Sequence, residues 1–246
     1  MIHLNYRKKI LLSFFFLSTF FSSISSKDLE EENWEILKLS LSKNSSYKFF
    51  YGDILEGKTP WKFYQSTSYV TDTKFVPKIP ESKIFGEETE FFSGILKIDP
   101  PRSLQVHAYL EIPDREKLRI RPEEKKILPY SIPIRVFLWL HSSNYAGQAK
   151  LVLSHPKKKD TIVVIGDLGY HGWKRLEAVI PIPTGEIKLN NPSKDRFSIK
   201  EIVFEFTKNQ KRTHVTLFLS RLGFLLDRNT PLYPGIEIED GWYITK

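Results

Sequence analysis

Four apolar runs of strand length lie between Ile132 and Pro183, and they constrain this chain more than any other feature. The runs are rich in β-branched and aromatic residues, and Asn, Gly, Pro or Asp residues bound them. This pattern predicts four successive antiparallel strands, which would make up most of one sheet. The runs are residues 134–140, 149–153, 161–165 and 172–181.

Strict alternation of residue types predicts three more strands. From Leu104 to Leu110, every second residue is apolar, which is the signature of a strand with one buried face. The same period of two occurs in residues 201–206 and 214–219. The polar residues 208–212 between them have the length of a hairpin loop and predict a closing hairpin. Strands at this spacing, with no long amphipathic helix between them, are typical of an all-β antiparallel sandwich.

Two stretches are predicted to be irregular. Residues 71–101 contain Pro77, Pro80, Pro100 and Pro101, and this density of proline suits a long surface connection better than a central strand. Residues 115–126 are dense in both signs of charge and are interrupted by a proline, so we expect a solvated loop. The predicted domain therefore has a loop-rich part (26–100), a sandwich core (101–228) and a C-terminal tail (229–246).

The N-terminus has the features of a secretory signal peptide. Arg7, Lys8 and Lys9 precede a mostly apolar stretch at 10–21, and Ser23 and Ser25 provide the small residues that a signal peptidase reads. A membrane anchor would need about 20 apolar residues. We therefore predict that residues 1–25 are removed and that the mature chain is exported and not embedded in a membrane. Because the chain has no Cys, its stability is expected to come from core burial and not from disulfides.

The motifs indicate no catalytic, cofactor or metal site. No Ser lies in a G-x-S-x-G motif, no thiol is available, and no His residues have metal-ligand spacing. Gly166, Gly169 and Gly172 do not match a dinucleotide-binding turn, because an alternating segment and not a helix follows them. The net charge of +8 is spread along the chain without a basic recognition helix, which argues against nucleic acid as a partner. Folding could still bring two acidic side chains close together, so a hydrolase is the third and weakest alternative.

Three aromatic residues are candidates for contacts with a partner. Phe137, Trp139 and Phe218 alternate with the apolar residues of their strands, so they are expected to point away from the core. A face in contact with water should not carry such side chains. Either the connection 76–101 covers them, or they form the hydrophobic centre of a subunit contact.

Two basic loop tips are further candidates for such contacts. The first contains Lys157, Lys158 and Lys159, and the second contains Lys211 and Arg212. Tips of this kind serve solubility and the protection of strand edges. The alternative is a contact with an acidic partner surface.

Residues 134–181 resemble the spirochaete periplasmic flagellar filament outer-layer proteins, the FlaA family. The residues that carry the resemblance begin with the strand 134–140 and the turn Ser143-Asn144-Tyr145. They continue from Gly166-Asp167-Leu168 through Gly172-Trp173-Lys174 to Ile180-Pro181. Residues 199–228 resemble the family's closing hairpin, so the resemblance covers residues 100–228.

The resemblance implies a jelly-roll-like sandwich, similar in fold to carbohydrate-binding modules, in a non-catalytic protein without cofactors. It implies a periplasmic sheath component that coats the flagellin core beside other sheath proteins and contributes to filament curvature and motility. The chain departs from the family at 155–160, where a basic segment replaces an acidic-glycine turn, and in its short C-terminal tail. The alternative function is a periplasmic carbohydrate-binding module, because the same sandwich presents aromatic residues to sugars.

Overall fold

The computed structural model describes residues 34, 38, 47–57, 59–64, 70–77, 83–91, 102–156, 158–181 and 196–227. The chain divides into two compact units, residues 1–42 and 43–246. In the first unit, Trp34 and Lys38 are described, both are helical, and Nζ of Lys38 lies 5.5 Å from the ring centroid of Trp34. The predicted signal peptide and the predicted C-terminal tail lie outside the described residues. Within the described part of the chain, no helix is long and apolar enough to cross a membrane.

The second unit is a jelly-roll-like antiparallel β-sandwich, so the predicted fold class is confirmed. Its described elements are β1 (Tyr47–Asp53), β2 (Trp61–Phe63), β3 (Val70–Pro77), α1 (Lys83–Phe91), β4 (Arg102–Leu110), β5 (Lys117–Pro122), β6 (Lys126–Ile127), β7 (Ile132–Ser143), β8 (Gly147–His155), β9 (Lys158–Asp167), β10 (His171–Val179), β11 (Ser198–Phe206) and β12 (Thr213–Asp227). Sheet A has the strand order β10-β7-β12-β4-β3, and β1 pairs with β12. Sheet B has the order β2-β5-β11-β8-β9, and β6 pairs with β11.

The core lies between the two sheets and is built from alternate residues of each strand. The predicted apolar face of β4 is fully buried, as are the inner residues of β7 and β12 that pack beside it. Sheet B contributes the inner residues of β5, β8 and β11 to the same cluster. Burial of this continuous apolar layer supplies the main driving force for folding. Representative core residues are Leu104, Val106, Leu138, Leu140, Leu217 and Leu219 from sheet A, and Leu118, Ile120, Leu151 and Phe204 from sheet B.

The prediction that the four runs from 134 to 181 form one sheet is wrong. β7 and β10 pair in sheet A, where Leu138 lies opposite Leu176, whereas β8 and β9 pair in sheet B. The predicted closing hairpin is also wrong, since β11 pairs with β5 and β8 in sheet B and β12 pairs with β4 and β7 in sheet A. Alternation reveals which face of a strand is buried, but both sheets of a sandwich show the same alternation.

The two stretches predicted to be irregular contain regular structure. Residues 71–101 include most of β3 and the whole of α1, and β3 is one of the two edge strands of sheet A, with Pro77 at its end. Residues 115–126 include β5, in which Leu118 and Ile120 are buried and Arg119 and Arg121 face outwards. The part of the chain called loop-rich, 26–100, therefore contributes three strands to the sandwich.

Among the described residues, four connections cross between the sheets at the same end of the sandwich, here called the crossover end: 111–116, 144–146, 168–170 and 207–212. Backbone hydrogen bonds join the last three of them to one another. The N–H of Asn144 donates to the carbonyl of Tyr170 at 2.7 Å, and the N–H of Thr207 donates to the carbonyl of Ala146 at 2.8 Å. Asn144 has a φ of 63°, a left-handed conformation that Asn tolerates better than most residues. The crossover end is thus a set of mutually braced loops.

Candidate functional site

The outer face of sheet A carries two groups of aromatic and polar side chains, which lie in different surroundings. Along β7, residues Phe137 and Trp139 lie beneath α1 and β1, and His141 lies nearer the crossover end. We call the first region, with Phe137, Trp139 and Arg175, the covered half. We call the second region the platform, and it consists of Gln105, His107, Tyr109, His141, Trp173, His214 and Phe218.

Rings from α1 and β1 pack directly on the covered half. The ring centroids of Phe85 and Trp139 are 5.1 Å apart in an edge-to-face contact, and those of Phe49 and Phe137 are 5.7 Å apart. A glycine at 223 is required beneath this packing, because a Cβ there would lie 2.6 Å from the Phe49 ring. Such packing buries the aromatic rings as completely as a core would.

A buried polar network also fastens α1 to the sheet. The carboxylate of Glu88 accepts hydrogen bonds from the Tyr51 hydroxyl at 3.0 Å and from Nε1 of Trp139 at 3.1 Å, and Nη1 of Arg175 lies 3.6 Å from it. Burial raises the pKa of Glu88, and the guanidinium of Arg175 opposes that shift. Burial and the nearby Glu88 raise the pKa of Tyr51. The guanidinium of Arg221 lies 3.5 Å from the ring centroid of Phe85, and its burial lowers its pKa.

The structure therefore places two of the predicted contact residues inside the subunit. Phe137 and Trp139 are only 2% and 1% exposed, and α1, which covers Trp139, belongs to the connection 76–101. The structure thus matches the first of the two alternatives from the sequence, in which the connection 76–101 covers these residues. Neither side chain is available at the surface for a partner.

The platform spans four adjacent strands of sheet A. In the register of the sheet, Trp173 on β10 lies opposite His141 on β7, and His141 lies opposite Phe218 on β12. Phe218 in turn lies opposite Gln105 on β4. Two further pairs continue the surface towards the crossover end: Thr216 opposite His107, and His214 opposite Tyr109.

Contacts between rings hold the platform in one arrangement. His141 packs edge to face against both Trp173 and Phe218, with centroid distances of 5.6 and 5.4 Å. His107 and His214 are stacked with centroids 5.3 Å apart, and Nδ1 of His107 lies 2.9 Å from Oγ1 of Thr216. His214 is exposed and the other platform residues are half-buried. The platform is thus pre-organised and accessible at its surface.

A polar cleft of about 430 Å³ adjoins the platform at the crossover end. It is lined mainly by Ser143, Asn144 and Tyr145 from the β7–β8 connection and by Gln210, Lys211 and Arg212 from the β11–β12 connection. The Tyr145 hydroxyl accepts a hydrogen bond from the backbone N–H of Thr216 at 3.0 Å, which ties the cleft to β12. The guanidinium of Arg212 is paired with Glu111 at 2.5 Å.

The predicted contact residues thus fall into three places. Phe218 lies on the platform, and Lys211 and Arg212 line the cleft at the crossover end. Lys158 and Lys159 begin β9 at the opposite end of the sandwich, where Lys159 is exposed, and Lys157 lies outside the described residues.

Sequence reasoning missed most of the platform, although its signal was present. His107, Tyr109 and His214 occupy outward positions of strands whose alternation was recognised. Trp173 lies in the segment Gly172-Trp173-Lys174, which carries part of the family resemblance. The missing information was the pairing of β12 with both β4 and β7, which brings these positions side by side. Across the described residues, no three His, Asp or Glu side chains lie close enough to hold a metal ion.

Comparisons with known proteins give distant structural likenesses. No family model and no curated protein matches the chain. The family 11 carbohydrate-binding module of the cellulosomal cellulase Lic26A-Cel5E of Clostridium thermocellum is similar at 12% identity, with 72% of this chain and 94% of that chain covered and a TM-score of 0.43. The module TmCBM61, solved with β-1,4-galactotriose, is 16% identical, with 68% and 88% covered and a TM-score of 0.37. TmCBM27, described as recognising mannan, is 10% identical, with 73% and 98% covered and a TM-score of 0.37.

Proposed function

We propose that this chain is a non-catalytic carbohydrate-binding β-sandwich that binds a glycan along the platform. The observation that carries the proposal is the row formed by Trp173, His141, Phe218 and Gln105 on four adjacent strands. Neighbouring strands are about 4.8 Å apart, so the row is roughly 14 Å long. A surface of that length suits an extended oligosaccharide better than a single small metabolite.

The chemistry of the platform matches the two-sided character of a sugar ring. A pyranose has apolar C–H faces, which pack on rings such as Trp173 and Phe218, and a rim of hydroxyl groups, which need hydrogen-bond partners. Imidazole and amide groups on the same surface can both donate and accept such bonds. Because the rings already support one another, little conformational entropy is lost when a ligand binds. The adjoining cleft adds polar groups where a glycan could continue.

Binding measurements with platform variants test this proposal. The purified protein is titrated calorimetrically with mixed-linkage β-glucan, galactan, mannan and the glycan strands of peptidoglycan. We expect one class to bind, and we expect Trp173→Ala and Phe218→Ala each to weaken that binding at least tenfold, which corresponds to about 1.4 kcal/mol. The matched control is Val179→Ala, which truncates an exposed apolar side chain of β10 outside the platform and should bind normally. Failure of every glycan class to bind would contradict the proposal.

A structural subunit of a periplasmic flagellar sheath is the second proposal. Tyr109, Trp173 and Phe218 are of the residue types that form the centres of protein interfaces, and the exposed Lys211 lines the cleft at the crossover end, which suits an acidic partner surface. In this proposal the platform contacts flagellin core subunits or other sheath proteins in the periplasm. Purified filaments should then contain the chain in stoichiometric amounts, and Phe218→Ala should reduce its incorporation. A chain that washes off filaments in mild buffer but stays on a glycan column would favour carbohydrate binding instead.

A further inference from the structure

The β9 edge of sheet B carries an unusual apolar strip. β9 is the last strand of that sheet, and among the described strands it pairs only with β8. On its outer face, Ile162 and Val164 are 59% and 50% exposed, and Ile162 lies opposite the largely buried Val152. Edge strands are normally protected by charges, prolines or a covering segment, because their backbone groups can pair with another strand. The central part of β9 has apolar side chains where such protection is expected.

The sequence of β9 is complementary to itself in the antiparallel direction. If two copies of β9 pair with Val163 at the centre, Ile162 of each copy lies opposite Val164 of the other on the outer face. The same register places Lys159 of each copy opposite Asp167 of the other, so both ends of the pair carry opposite charges. β9 has two one-residue bulges, one between Val164 and Gly166 and one between Lys158 and Thr161, so the side chains of Lys159 and Asp167 must span both offsets.

We propose that β9 is a self-association edge, at which two copies of this chain pair antiparallel about a two-fold axis and join their B sheets into one continuous sheet. Two apolar cross-strand pairs and two ion pairs form around the backbone hydrogen bonds, and an interface of this kind is isologous. The two ends of β9 carry opposite charges, so a second copy in the antiparallel orientation supplies a complementary charge at each end. The pair would carry two platforms, which increases binding to a long polymer through avidity.

Sedimentation equilibrium of the purified protein, at concentrations up to about 1 mM, is the first test. A dimer with a dissociation constant above about 1 mM would have a binding free energy of less than roughly 4 kcal/mol. We expect a monomer–dimer equilibrium that Ile162→Lys or Val164→Lys weakens at least tenfold. Val179→Lys is the matched control, because Val179 is 65% exposed on the edge strand β10 of the other sheet and should leave the equilibrium unchanged. A wild-type protein that stays monomeric overturns the inference, and so does an equal effect of the control.

Charge exchange and cross-linking test the register itself. Lys159→Asp and Asp167→Lys should each weaken the dimer, and the double variant should restore it. Because the chain has no Cys, mixed Ile162→Cys and Val164→Cys proteins should form disulfides between the two variants in excess of those within either one. Failure of the double variant to recover, or cross-linking without this preference, would overturn the pairing. Glycan binding by a protein that remains monomeric would leave the platform proposal intact, so the two proposals can fail separately.

Discussion

The two halves of the outer face of sheet A use the same kinds of residue for different purposes. Phe137 and Trp139 in the covered half are as buried as the core, whereas Trp173 and Phe218 on the platform are half-buried. The strands beneath them are the same, since Trp139 and His141 are two residues apart on β7. The difference comes from β1 and α1, which both end at least 41 residues before β7 begins. An outward-facing aromatic ring therefore has no fixed role until the element that covers it is known.

The comparison also explains why the platform is a candidate site. Burial of an aromatic ring stabilises a fold, so the covered half accounts for its own residues. The platform rings receive only part of that stabilisation, and exposed apolar groups promote unwanted association. A cluster of such rings, held by contacts with one another and surrounded by hydrogen-bonding groups, fits a binding role better than a purely structural one.

The largest expected effect is on stability, and it concerns Trp139. The change Trp139→Ser removes a buried ring and its hydrogen bond to Glu88, and it should cost about 3–5 kcal/mol. For a sandwich of this size the melting temperature should fall by roughly 10 °C, measured by calorimetry. Trp173→Ala is the comparison variant and should lower the melting temperature by only a few degrees. Similar losses in both variants would mean that the two halves do not differ as described.

The next effect tests how α1 is fastened over the covered half. Glu88→Leu removes the acceptor for Tyr51 and Trp139 and the ion pair with Arg175, so we expect a loss of about 3 kcal/mol in the free energy of unfolding. Glu88→Gln retains an acceptor of the same shape and should cost much less. Equilibrium unfolding in urea measures both values. If the two variants were equally stable, the hydrogen bonds to Glu88 would contribute little to holding α1.

The sequence predicted the faces of strands better than their partners. The buried face of β4 and the apolar face of β7 followed from alternation, because a period of two leaves one choice of inner side. In β5 the same alternation was not recognised, because Leu118 and Ile120 alternate with Arg119 and Arg121 in a highly charged segment. The two arginines pair with Glu201 on the outer face of sheet B and do not belong to a loop. The crossing of β11 and β12 between sheets depends on the loops of the crossover end, and those contacts are not encoded in the strands themselves. The platform could not be assembled without that pairing, although Phe218 and the cleft residues Lys211 and Arg212 were recognised individually.

A smaller stability effect is expected on the platform, together with a large effect on binding. Phe218→Ala should cost about 1 kcal/mol or less in the free energy of unfolding, since the side chain is half-buried, yet it should abolish most glycan binding. Trp139→Ser should do the reverse: it should lose much more stability, but below its melting temperature each folded molecule should bind the glycan almost normally. Calorimetric unfolding and glycan titration of the same two samples give both quantities. Loss of binding in proportion to loss of folding in both variants would remove the distinction between the halves.

The smallest effect separates two buried carboxylates by the sign of their pH dependence. Glu201, on the outer face of sheet B, is desolvated, but hydrogen bonds from Arg119 and Arg121 outweigh that burial and hold its pKa below the usual 4.5. Its contribution to stability is therefore present above pH 4.5 and is lost as the pH falls through the folded-state pKa. Burial raises the pKa of Glu88, so its contribution has the opposite sign: it is complete below pH 4.5 and is lost as the pH rises through its folded-state value.

In melting curves recorded from about pH 3 to 8, Glu201→Gln should flatten the acid side of the profile, whereas Glu88→Gln should reduce the decline at higher pH. If Glu201→Gln kept the full acid dependence of the wild type, the arginine pair would not be what holds that carboxylate charged. If Glu88→Gln kept the full decline of the wild type at higher pH, Arg175 would compensate fully for the burial of Glu88 beneath α1.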